Sequence, residues 1–335
     1  MLLNQVFKSM PIKKIVFIFL LLNIIFLNFT IAQKLSDVDK MVAKYPKNFT
    51  TTEKLAERIE KDFNSEEEKA RAVFSWIAFN IKYDYNSFLN PQRVQGFSYS
   101  SEAEKQRKIK QLNDNLIQKT FNSKKGVCEG FTALYQHLAT QVGLKSEVVK
   151  GDSKTRLADI GRKTISSNHA WNTVLIGRKW ILVDVTWGQG YYDSSKGRMV
   201  DDFAPIYFDT DPDYFFAKHY PDSGTFDGDK ISKSDFLNGP LIYNSAIVED
   251  YKIKSPDSGI LEVKNGDKIS VEIKNVSKSD QVFYLNKKNQ PVKVQNPKEK
   301  RGGLEFQIAV DANVGEYITV FIGNASVVSF KVIRA

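Results

Sequence analysis

Lys124-Lys125-Gly126-Val127-Cys128-Glu129-Gly130-Phe131 is the stretch on which the fold turns. It reads as a turn running straight into an amphipathic helical pattern, Cys128 to Val142, closed by Gly143 in the position of a C-terminal glycine. Cys128 is the only cysteine of the 335 residues. At a helix N-terminus beside two lysines, unpaired N–H groups and positive charge favour a thiolate. Glu129 opposes that effect if it points the same way. The plain alternative is a buried cysteine serving as a small hydrophobe.

The residues downstream weigh against the plain alternative. Ser146 to Gly151 reads as a strand, and Asp152 to Ser167 as a polar, basic loop. His169 to Ile176 is a second strand, Gly177-Arg178 a turn, and Lys179 to Val185 a third strand. The last two form an antiparallel hairpin in which paired positions sum to about 354. His169 then faces Val185, next to Asp184. A carboxylate beside an imidazole fixes its tautomer and stabilises its charged form. With the N-terminus of the cysteine helix packed on this hairpin, Cys128 would be the nucleophile, His169 the base and Asp184 the orienting group. An aspartate between Val183 and Val185 already asks for a partner, because an unpaired buried carboxylate is costly.

Upstream, Thr50 with Glu53 and Ser65 with Glu68 have capping-box spacing. The helix from Glu66 to Ile81 places Ala70, Val73, Phe74, Ile77 and Ile81 on one face. Asn90 to Ser101 is a loop, and Ser101 to Lys119 a charged, helical excursion. Residues 1–32 read as a signal peptide. Lys8, Lys13 and Lys14 precede an apolar stretch from Ile15 to Phe29, and Thr30-Ile31-Ala32 forms a small-residue exit. That implies export to the periplasm, cell surface or medium. The apolar run is short for a span and broken by Asn23 and Asn28, so no stable membrane span is expected once it is removed. An unpaired cysteine in an exported chain points to a reactive thiol.

From Tyr243 only short alternating strands remain. Lys268 to Lys274, Gly303 to Val310, Tyr317 to Ile322 and Val327 to Ile333 predict a small immunoglobulin-like β-sandwich over 243–335. The expected architecture is therefore α+β: a cysteine helix on an antiparallel sheet in 33–242, followed by an all-β domain. The composition, 42% hydrophobic and 26% charged, is that of a globular chain. The net charge of +9 is spread rather than grouped with aromatics, and no nucleic-acid-binding motif occurs. With three histidines, one cysteine and no ligand spacing, no metal is expected. No glycine-rich phosphate loop occurs either, so no cofactor is expected.

Three motifs together resemble the transglutaminase-like superfamily: Gly126-Val127-Cys128-Glu129-Gly130-Phe131, Asn168-His169-Ala170-Trp171-Asn172, and Trp180-Ile181-Leu182-Val183-Asp184-Val185-Thr186-Trp187-Gly188. The branch most resembled is the kyphoscoliosis peptidase-like one. Ala72 to Ile77 with Asn80 to Asp84 is similar to that branch's upstream motif, and Tyr207-Phe208, Asp211-Pro212 and His219-Tyr220-Pro221 to its downstream motif. The resemblance covers roughly Glu53 to Pro240. It implies a papain-like core with Cys128, His169 and Asp184 in the nucleophile, base and orienting positions. The expected chemistry is amide hydrolysis through a thioester. Amine transfer (a transglutaminase) and a catalytically silent scaffold of the cell envelope are the alternatives. The implied partner is a peptide or protein substrate, and the basic loop Lys154 to Lys163 would suit an anionic envelope polymer. The oligomeric state is not legible. Tyr83 is the expected second oxyanion donor beside the Cys128 N–H, Trp171 and Trp187 are expected cleft walls, and His219 is expected to be structural.

Overall fold

The computed structural model describes residues 33–91, 96–193, 196–223, 225–226, 229–230 and 232–335. The expected signal segment, 1–32, lies outside the described residues. Five longer helices come first: α1 (33–42), α2 (Thr52–Asp62), α3 (Glu66–Asn80), α4 (Glu102–Ser123) and α5 (Cys128–Gln141). Ser65 caps α3 with the reciprocal Glu68 bonds that the spacing predicts. For α2 the cap is Thr51 rather than Thr50. The single apolar face expected for α3 understates it. Ala70 through Ala78 are buried without interruption, so α3 is a central helix covered on all sides.

A four-stranded antiparallel sheet carries the rest of this core: β1 (Ser146–Ser153), β2 (His169–Ile176), β3 (Lys179–Val183) and β4 (His219–Pro221), in the order β3-β2-β1-β4. Helix α5 lies against it. Asn172 Nδ2 on β2 donates to the Thr132 carbonyl on α5 at 3.1 Å, which fixes the helix over the sheet. The observed β2–β3 register pairs Asn172 with Val183, one residue off the expected pairing. The third strand also stops at Val183 instead of Val185. Asp184 ends it by acting as N-cap of a short helix, Val185–Gln189, and accepts the Trp187 N–H at 3.0 Å.

The C-terminal region is β-rich. One sheet runs β5 (Leu241–Ile242), β14 (Ala325–Arg334), β13 (Tyr317–Ile322), β9 (Val282–Leu285) and β10 (Pro291–Lys293), with β7 (Ile260–Val263) parallel to β14. The other runs β6 (Lys252–Ser255), β8 (Lys268–Lys274), β12 (Gly303–Ala309) and β11 (Lys298–Glu299). The alternation read in β8 buries Ile269, Val271 and Ile273, which share one apolar cluster with Phe306, Val320 and Phe330. Several short strands here, such as β9, carry no alternation that the sequence reading could use.

Candidate active site

Two elements deliver Cys128. The bridge Lys82–Tyr83 pairs in parallel with Lys125–Gly126, and Asp84 N donates to the Gly126 carbonyl at 2.8 Å. The chain then enters α5 with Cys128 as its first residue, 4% exposed. Lys124 adopts a left-handed backbone (φ 55°) to close α4, which turns its side chain away from the thiol. Its ammonium donates to the Phe121 carbonyl at 2.7 Å and stands over the Phe121 ring. Lys124 therefore does not supply the expected charge at Cys128. Glu129 does point at the thiol: Cys128 Sγ donates to its Oε2 at 3.3 Å.

His169 opens β2 and is buried, and its Nε2 lies 2.7 Å from Asp184 Oδ2. Nδ1 is the ring nitrogen that does not face Asp184, and the Cys128 side chain lies near enough to act on the charge of the imidazole. Burial pulls the imidazole toward its neutral form, but the Asp184 carboxylate and the Cys128 sulfur outweigh it and hold His169 well above the ordinary histidine range. Asp184 is likewise penalised by burial, yet the two imidazoles keep it far below the usual carboxylate range. Of the sequence-derived residues, His169 and Asp184 thus come together from a strand start and a strand end, with Cys128 nearby at a helix start.

A residue assigned a structural role by the sequence reading joins them. His219 Nε2 lies 3.0 Å from the same Asp184 Oδ2, and its Nδ1 is 2.9 Å from the Phe215 carbonyl. Burial pushes its pKa down to about 4. The His219-Tyr220-Pro221 motif was the signal that could have found it. His169, Asp184 and His219 bring three potential metal-ligating atoms within 4.8 Å. The N···O separations are those of hydrogen bonds, with both nitrogens aimed at one oxygen rather than at a common centre. Lys218, also buried, stands over the Trp187 ring at 4.8 Å. It donates to Asn244 Oδ1 at 2.9 Å, tying the site to the C-terminal region.

The aromatic residues divide. Trp187 is half-buried and stacks on His169, with ring centroids 5.1 Å apart. Trp171 is not a cleft wall. It is fully buried and meets Phe215 and His219 edge-on, because β2 directs it into the small cluster beneath the sheet. Tyr83 is half-buried beside the cysteine. Burial first, then the negative charge of Cys128, Glu129 and Asp184, raises its phenol far above the usual range, which keeps it a neutral donor. The third histidine, His137, lies 3.0 Å from Thr52 Oγ1 of α2 and does not take part.

A helix delivering a cysteine to an antiparallel sheet that carries a histidine–aspartate pair is the arrangement that the transglutaminase-like resemblance implies. The profile of the transglutaminase-like superfamily matches residues 53–185, and this part of the chain is a transglutaminase-like domain. The chain is 25% identical over 243 residues to kyphoscoliosis peptidase of Mus musculus, and 26% identical over 236 residues to that of Homo sapiens. These alignments take in 69% and 67% of this chain but 32% and 31% of the relatives, so the chain spans about a third of their length. Among solved structures, a crystal structure of a TGase shares 20% identity over 50% of this chain and 36% of its own, at a TM-score of 0.27. So loose a superposition supports nothing further.

Proposed function

We propose that the chain is an exported cysteine-dependent acyl-transfer enzyme, a peptidase or amidase. Its β-rich region, which we read as an immunoglobulin-type sandwich, would be an accessory domain. Cys128, having passed its proton to His169, attacks an amide carbonyl and forms a tetrahedral oxyanion, stabilised by the Cys128 N–H and the Tyr83 hydroxyl. The C–N bond breaks as the imidazolium gives its proton to the leaving amine. Water, deprotonated by His169, then cleaves the thioester and releases the acid. The observation that carries this reading is the 2.7 Å contact between the buried His169 and Asp184, with the side chain of the only cysteine near enough to act on the same imidazole. Export is supported by the pattern of residues 1–32 alone.

A silent binding module is favoured by one observation, the thiol's contact with Glu129. Incubating the full chain with unfolded casein and a fluorescent primary amine separates the readings. We expect casein fragments, absent with Cys128→Ala. Amine incorporation without fragments would make the chain a transglutaminase, and neither product would leave the binding module.

A further inference from the structure

We infer that His219 is a positioning residue, a fourth member of the array that acts on Asp184 and through it on His169. The inference rests on the catalytic reading of Cys128, His169 and Asp184, and the family match ends at residue 185, well before His219. Asp184 is held by three donors. Oδ1 takes the Trp187 N–H, and Oδ2 takes both imidazoles. Capping the short helix fixes only Oδ1. Without His219, nothing but His169 itself would hold Oδ2, and a group cannot be oriented by the residue it is meant to orient.

His219 is built to be rigid. It is fully buried, lies parallel on Phe215 at 3.9 Å between centroids, and meets Trp187 at 4.3 Å. Its backbone pairs with Ser153 at the edge of the sheet.

Proton accounting sets its tautomer. Both ring nitrogens face acceptors, but a neutral imidazole has one N–H. The Phe215 carbonyl already accepts the backbone N–H of His219. A charge-assisted bond is worth about twice a neutral one, so the ring proton belongs on Nε2, facing the carboxylate. Burial keeps the ring neutral. A neutral donor orients Asp184 without cancelling its charge, which stays available to the His169 imidazolium.

The test is a double-mutant cycle on the full chain with Asp184→Asn and His219→Phe, reading the rate of Cys128 alkylation by iodoacetamide at neutral pH. Phenylalanine keeps the stacking and removes the donor. We expect wild type to react faster than a free thiol and each single variant to lose about tenfold, with the double variant no slower than the worse single. His219→Gln, which returns an N–H, should recover most of the rate. Multiplying losses, a wild-type rate in His219→Phe, or a His219→Gln no faster than His219→Phe would overturn the inference while leaving an activated Cys128 in place. A wild type that reacts as a free thiol would overturn it together with the catalytic reading. Thermal melts check that the variants fold, and if His219→Phe does not, the cycle is run with His219→Leu.

Discussion

The two halves of the molecule bury different things. Before residue 220 the interior holds Arg71, Asp152, Lys154, Asp159, His169, Asp184, Lys218 and His219. From residue 241 onward the buried polar side chains among the described residues are Thr319 and Ser329, two hydroxyls bonded to each other at 2.7 Å. Burying a charge costs several kcal/mol unless it is paired, whereas a paired hydroxyl costs little. The first half therefore holds paired charges in its interior, the His169–Asp184–His219 array among them. The second is held by aliphatic and aromatic packing and carries nothing that titrates in its core. One half buries groups that titrate and the other does not, which makes them separable by experiment.

The largest expected effects come from cutting each half at its own kind of contact. Asp39 accepts two bonds from Arg71, at 2.8 and 2.7 Å, and the guanidinium also caps the Pro205 carbonyl at 3.1 Å. Asp39→Ala leaves a buried, unpaired cation and should cost about 3–5 kcal/mol. Phe330→Ala opens a cavity in the β-rich core and should cost about the same. Differential scanning calorimetry should show the first lowering only the transition of the residue 33–223 core and the second only that of the β-rich region. Equal displacement of one shared transition by both variants would break the comparison.

Acid should act on one half alone. His219 has a folded value of about 4, against about 6.5 when unfolded. Between those values the unfolded chain binds a proton that the fold refuses, so stability falls as pH drops through this window. His137, lowered mainly by burial, acts in the same sense. His169, raised, has the opposite sign, but its contribution is complete below about pH 6.5 and is lost only as pH rises through its folded value. Asp184, lowered, keeps its contribution until the pH falls below about 4. Melts at pH 7, 5.5 and 4.5 should therefore lower the first transition and leave the β-rich one fixed. Parallel shifts would mean that the halves do not unfold separately.

The smallest effect concerns the charge nearest the sulfur. Glu129 is exposed, so solvent screens it. Glu129→Gln should still raise the alkylation rate of Cys128 at neutral pH, by about two- to fivefold. An unchanged rate would mean that the carboxylate's contact with the thiol has no bearing on its reactivity.

Much of this was legible in the chain. The runs read as strands at β2, β8 and β13 have their observed limits, and the Ser65–Glu68 spacing gave the start of α3. Local signals misled where tertiary packing had the larger say. Trp171 looked like a cleft residue because it neighbours His169 in sequence, yet the pleat and the cluster with Phe215 bury it. Lys124 looked like a partner for the thiol until its left-handed backbone sent the ammonium to Phe121.

What the sequence alone determined is the principal helices, the longer strands and the pair of motifs that place Cys128 at a helix start and His169 at a strand start. These follow from periodicity and capping, which act over a few residues. Only the tertiary structure decided that strand β3 ends at Asp184, that β4 returns beside β1, and that His219, 35 positions further on, shares the same carboxylate oxygen. Such a contact depends on sheet order and on the satisfaction of buried polar groups. Neither leaves a periodic trace in the chain.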